Sequence, residues 1–157
     1  MTTNMTFRRA RPEDLYTLAE FGTALAAQHN EYDASRFLIP SRATFHSFFA
    51  QELANPDSHI LVAEEEGTLL GYAFLRWEPP SIVDLVERSL WLHDLYLQPS
   101  ARGRGVGAAL LRNALTLARQ AGATKVLLKA SPKNHDALST FEKAGFRTTM
   151  QEMQIEL

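Results

Sequence analysis

Apolar positions in the first third of the chain recur every three or four residues. Leu15, Leu18, Ala19, Phe21, Gly22 and Leu25 follow Pro12, whose fixed φ suits a first helical turn, with Glu13 and Asp14 near the positive end of the dipole. The spacing predicts a helix to about Gln28. "MTFRRA" before it reads as a first strand, and "HNEYDASRFLIP" after it as an irregular connector. Ser41 caps a second helix through "RATFHSFFAQELA", stopped by "NPD". The period then shortens. "HILVAEEEGTLLGYAFLRWE" holds two strand-like runs around Gly67, an antiparallel hairpin. "PPSIVDLVERS" is a loop with one helical turn, and "LWLHDLYL" a strand ended by Gln98-Pro99. Val106, Leu110, Leu111, Ala114, Leu115 and Ala118 mark an amphipathic helix between Gly103 and Gln120, with Gly122 as its stop. "TKVLLKA" is a buried-type strand. Asn134 caps a shorter helix carrying Ala137, Leu138 and Phe141 and ended by Gly145, and "TTMQEMQIEL" alternates as a final strand. The order β-α-α-β-β-β-α-β-α-β predicts one α/β (α+β) domain over residues 1–157, built on a mixed central sheet.

Composition changes this picture in two places. Cysteine is absent, which excludes disulfides, thiolate catalysis and thiolate zinc sites, and a reducing cytoplasm is expected. The formal net charge of −2 hides a polarity: residues 1–94 carry 14 acids against 7 bases, whereas residues 95–135 carry 7 bases and no acid. Such asymmetry points to a polyanionic partner for one part of the chain. Nucleic acid fits poorly, because the whole chain is slightly acidic and the basic stretch lacks interleaved aromatics. No run approaches the roughly 20 apolar residues of a membrane span, and the N-terminal stretch has no apolar core of a signal peptide.

The basic stretch contains "RGRGVGAALL". Gly103, Gly105 and Gly107 at a helix start leave the first N–H groups, which have no intrahelical partner, open to an anion. Arg102 and Arg104 add charge, and an arginine pairs with two phosphate oxygens at once. A tight turn alone needs glycine for positive φ, but not three glycines with two arginines. A P-loop is excluded, since no Lys-Ser or Lys-Thr follows. Gly103-x-Gly105-x-x-Ala108 fits the loose dinucleotide fingerprint, yet "TKVLL" stands where its acidic ribose ligand belongs.

The residues resemble the GNAT superfamily of acyl-CoA-dependent N-acetyltransferases. Its pyrophosphate motif, R/Q-x-x-G-x-G/A, is matched by Arg102-Gly-Arg-Gly105-Val-Gly107. "NHDALSTFEKAGF" is similar to the family's downstream segment at Asn134, Ala137, Gly145 and Phe146, and "ILVAEEEGTLLGYAFL" to its central hairpin, over about residues 4–150. The resemblance implies helices on both faces of the sheet and a splay between the fourth strand, about 90–97, and the fifth, about 124–130. It also implies acetyl-CoA as donor, its pantetheine bonded by the main chain of Leu95 and Leu97. The pyrophosphate would lie on the N–H groups from Arg102 through Gly103, Arg104, Gly105, Val106 and Gly107 to Ala108, with Asn134, Ala137 and Phe141 facing the cofactor from the other side.

Acetylation of an amine requires a base, a stabilised oxyanion and a proton for the leaving thiolate. Many family members place a proton-donating tyrosine where this chain has Phe141, which cannot donate. Water, or Tyr96 in its place, is the remaining acid. The base candidates are His93, where relatives carry a glutamate, and Asp94 as the alternative. No pair of histidines has metal-ligand spacing with an acidic third partner, so no metal is expected. For the acceptor, Glu31, Asp33, Asp84 and Glu87 supply charge and Tyr32, Phe37 and Trp77 supply walls; His29 and His135 read as surface or loop residues. The expected activity is acetyl transfer to a primary amine of a small molecule or peptide in a ternary complex, and a non-catalytic acyl-CoA-binding module is the alternative. Many relatives pair as homodimers, which is the expectation here.

Overall fold

The computed structural model describes residues 4–83 and 88–157. Five strands lie in the order β1-β2-β3-β4-β5: β1 (Met5–Arg9), β2 (Ser58–Glu65), β3 (Thr68–Glu78), β4 (Ser89–Leu97) and β5 (Val126–Leu128). The first four are antiparallel to their neighbours, and β5 runs parallel to β4. The chain leaves β1 through a short 3-10 turn at Pro12–Asp14 into α1 (Leu15–Tyr32) and then α2 (Arg42–Ala54). Ser41 caps α2, its Oγ accepting the Thr44 N–H at 3.1 Å. Between β4 and β5 lies α3 (Val106–Gln120), and α4 (His135–Lys143) follows β5.

Strand pleating divides the apolar side chains between two layers. Val62, Tyr72, Phe74 and Tyr96 pack under Leu18, Phe21, Leu25 and Phe49 of α1 and α2. Leu61, Ala73, Leu75, Leu90 and Leu92 pack against Val106, Leu110, Leu111 and Ala114 of α3 and Phe141 of α4. Helices therefore cover both faces, as expected. Arg8 ties the entry of α1 to the sheet, donating to Asp14 at 2.8 and 3.0 Å and pairing with Glu64. Burial alone would raise the Asp14 pKa, but the Arg8 guanidinium and the Arg11 N–H hold it below the ordinary value.

Several expectations are corrected. The first helix continues one turn past Gln28, to Tyr32, so His29 is helical rather than part of the connector. The fifth strand pairs only over Val126–Leu128, and α3 begins at Val106 rather than Gly103. The final strand does not form: residues 147–157 carry no ladder. Met150, Met153, Ile155 and Leu157 are each more than 80% exposed, while Glu152 bonds Arg36 at 3.0 and 2.9 Å and lies 3.5 Å from Lys129. Alternation fixes which face each side chain takes, not whether a matching edge exists, and the three-residue β5 offers little to pair with. Asp84 and Glu87, expected near the acceptor, lie outside the described residues.

Candidate active site

The β3–β4 ladder pairs Phe74 with Asp94 and Leu75 with Leu92, leaving His93 unopposed in a β-bulge. A bulge of this kind sends two successive side chains to one face. The His93 ring lies 5.5 Å from that of Phe74, and Asp94 Oδ2 accepts the Tyr72 hydroxyl at 2.9 Å, both on the α1/α2 side. The β4–β5 ladder ends at the same level, with Leu92 opposite Leu128. Beyond it β4 continues to Leu97 without β5, and this is the predicted splay. Gln98 N–H donates to Leu70 O at 2.9 Å, so positions 98, 96 and 94 turn their peptide groups toward β3 and positions 97 and 95 turn theirs to the open edge. Leu95 and Leu97 thus turn their peptide groups to the edge that β5 leaves open. The Arg102 Nε already donates to Leu97 O at 3.1 Å, and its guanidinium lies 5.9 Å from the Tyr96 ring.

At the far end of that edge, Gly105 is the N-cap of α3 and has no side chain to cap it. The first helical bond runs from Ala109 N–H to Gly105 O, so the N–H groups of Val106, Gly107 and Ala108 precede the intrahelical ladder. Gly103 and Gly105 have φ of +73° and +78°, and a Cβ on either would meet nothing within 4 Å. Gly107 passes against β4, where a Cβ would lie 3.2 Å from Leu97 Cδ1. An uncapped helix start facing open space fits a diphosphate, which supplies the acceptor atoms and the negative charge these donors lack. Of the two arginines, Arg104 is paired with Glu65 at 2.7 Å. Asn134 caps α4, its Oδ1 accepting the Ala137 N–H at 3.3 Å, and both stand at the start of the helix that follows β5. Phe141 is 8% exposed and packs on Phe146 at 5.7 Å, inside the core.

On the opposite face a pocket of about 310 Å³ is lined by Gly22, Leu25, Ala26 and His29 of α1, the connector residues Arg36 to Leu38 and Pro40, Phe45 of α2, and Asp94. Burial raises the Asp94 pKa; the Tyr72 hydroxyl and the charges of His93 and His29 only partly offset it. Burial also raises Tyr96, against a smaller opposing effect of Arg102. Of the expected walls, Phe37 lines the pocket and Tyr32 stands beside His29 at 6.2 Å. Trp77 packs on the α3 side instead, under the Arg88 guanidinium. Asp33 is taken up by Ser35, and Glu31 is exposed. Three contributors lay outside the sequence reading: Tyr72 on Asp94, Glu78 on His93 (2.8 Å), and His29 itself. His29 had a signal, since it continues the stripe Leu18, Gly22, Leu25 at helical spacing. Among the described residues, no three His, Asp or Glu side chains come together in a metal-ligating group, and no helix is long and apolar enough to cross a membrane.

A five-stranded sheet with one parallel splayed pair, a bulge at the splay and an uncapped helix start beside it defines an acyl-CoA-dependent acyltransferase. Residues 22–146 match the Acetyltransferase (GNAT) family, to which the chain belongs. It is 30% identical over 142 residues to YhfO, an uncharacterized N-acetyltransferase of Bacillus subtilis, covering 90% of this chain and 89% of that one. Among solved structures, a mutant of the Bacillus halodurans BH1408 protein superposes with a TM-score of 0.86 at 18% identity, covering 97% and 99% of the two chains. A Clostridium acetobutylicum acetyltransferase with acetyl-CoA superposes with a TM-score of 0.75 at 21% identity, covering 98% and 96%. The protein is an N-acetyltransferase that uses acetyl-CoA and an amine acceptor.

Proposed function

We propose that acetyl passes directly from acetyl-CoA, lying along the open edge of β4, to an amine seated under α1, with Asp94 taking the amine's proton. The carrying observation is the bulge: it places Asp94 in the pocket at the level where β4 parts from β5. The donor supplies an acetyl group activated as a thioester. The Val106, Gly107 and Ala108 N–H groups hold its diphosphate, with Arg102 and, once released from Glu65, Arg104 adding charge. Peptide groups of Leu95 and Leu97 bond its amides as an added strand would. An ammonium entering the pocket meets the Asp94 carboxylate, which accepts a proton readily because burial has raised its pKa. His93, oriented by Glu78, is the second candidate base. Phe141 has no proton to give, whereas Tyr96, whose pKa is raised, stays protonated at neutral pH and is the candidate acid.

The chain's lack of cysteine supports a reducing cytoplasm as its compartment. The exposed apolar side chains of Met150, Met153, Ile155 and Leu157 support pairing of two copies. Thiol release from acetyl-CoA, followed across pH with an amine panel, tests the mechanism. Asp94→Asn is expected to lower turnover about 10²–10⁴-fold and to flatten the acidic limb, where the wild type loses rate as Asp94 takes up its proton. His93→Ala is expected to cost less. The reverse ranking transfers the base to His93, and thiol release from no amine leaves a binding module.

A further inference from the structure

The acceptor pocket is built for one positive charge and an apolar body. Resting on the active-site reading above, we infer that the acceptor is a monoamine whose amino group stands on a short arm attached to an apolar, ring-sized group, rather than a polyamine, an aminoglycoside or a peptide.

Three observations support this class. The first is the charge inventory. Among the described residues, Asp94 is the sole carboxylate lining the pocket, and one ammonium neutralises it. Arg36, the other charged side chain among the described lining residues, is a cation held on Glu152 by two bonds to one oxygen. A second ammonium would therefore sit among apolar walls without a counter-charge, beside a guanidinium that repels it.

The second is the chemistry of the walls. Gly22, Leu25, Ala26, Leu38, Pro40, Phe37 and Phe45 present carbon, and Gly22 is needed because a Cβ there would meet the Phe45 ring at 2.7 Å. The Phe37 and His29 rings stand 5.3 Å apart on one side, a surface for stacking. Sugar hydroxyls or peptide groups entering here would leave water without partners to replace it. An apolar ring loses nothing.

The third is size and rim. About 310 Å³ is at the lower end of the roughly 300–1,000 Å³ of small-ligand sites. The lip beside it is apolar as well: Leu38 is 84% and Ile39 50% exposed. Exposed side chains of this size next to a pocket extend the surface that an apolar body covers.

The test uses 2-phenylethylamine, ethylamine, spermidine, kanamycin and an alanine-initiated tetrapeptide, each read by thiol release from acetyl-CoA and by calorimetric binding to the CoA-loaded protein. The expected ranking in kcat/KM puts 2-phenylethylamine at least about tenfold above the other four, since a buried ring is worth that much. In Ala26→Leu, which fills the pocket, the preference of 2-phenylethylamine over ethylamine collapses through KM, with CoA affinity unchanged. A higher kcat/KM for spermidine, kanamycin or the tetrapeptide overturns the assigned class. So does an Ala26→Leu effect that falls equally on ethylamine and 2-phenylethylamine. Should CoA itself fail to bind, the active-site reading falls first, an outcome calorimetry separates from a wrong acceptor.

Discussion

On the α3/α4 side of the sheet the proposed donor site is made of main chain. Leu95 and Leu97 contribute peptide groups, and Val106, Gly107 and Ala108 contribute uncapped N–H groups. On the α1/α2 side the proposed acceptor pocket is made of side chains drawn from α1, the connector, α2 and β4, each placed by tertiary packing. Peptide groups cannot be substituted, so the donor side depends only on where glycine permits them to be reached. The acceptor side is free to change identity without disturbing the sheet. One chain thus carries a fixed cofactor corner and an adjustable substrate corner, joined at the His93 bulge.

The sharpest way to break this comparison is to spoil the main-chain corner with a side chain. Gly105→Val places a β-branched residue at φ +78° and a branched side chain over the donors of α3. Losing about two charge-assisted hydrogen bonds to phosphate costs about 4 kcal/mol, roughly a thousandfold in CoA affinity by calorimetry. The positive φ costs the fold only about 1–2 kcal/mol. Unaltered affinity would show that the diphosphate is held elsewhere.

The acceptor side gives the complementary result, because its key group is a burden on the fold. The Asp94 pKa is raised above its unfolded value, so the folded state binds its proton more tightly than the unfolded state does. That contribution is present below the ordinary carboxylate pKa and is lost as pH rises through the raised one. Asp94→Asn therefore stabilises the protein at neutral pH by about 1 kcal/mol, while costing activity, and the gain fades in acid. Thermal unfolding at pH 7 and pH 3.5 measures this; a destabilised variant at pH 7 would make Asp94 a structural partner of Tyr72.

The same contrast explains what could be read in the sequence. The hairpin and the glycine corner are local: apolar period, turn residues and the Arg102–Gly107 spacing carry them without knowledge of the fold, whereas helices on both faces came with the family resemblance. Leu95 and Leu97 likewise came with the family resemblance, and the bulge at His93 leaves strand parity intact on their side of it. Tyr72, Glu78 and His29 escaped because their roles exist only once β3 lies against β4 and α1 lies over both. Trp77 was expected as a wall from its residue type alone, whereas strand alternation with Leu75 sends it to the α3 side. The tail failed for the opposite reason: its pattern was correct for a strand, but its neighbour is three residues long.

The smallest expected effect sharpens the boundary between the two corners. Arg104 belongs to the main-chain corner by position, yet its guanidinium is spent on Glu65 at 2.7 Å, on the strand edge beside it. Glu65 raises the Arg104 pKa by hydrogen bond and charge, so the pair is electrostatically favourable before the donor arrives. If Arg104 contributes to diphosphate binding it must exchange one anion for another, and the net gain is the difference between them. Glu65→Gln removes the competitor and leaves a neutral side chain of the same shape. CoA affinity is then expected to rise about two- to fivefold, the worth of a partly exposed ion pair, and to become more salt-sensitive. An unchanged affinity would mean that Arg104 stays on β2 throughout and that the corner binds phosphate with main chain and Arg102 alone.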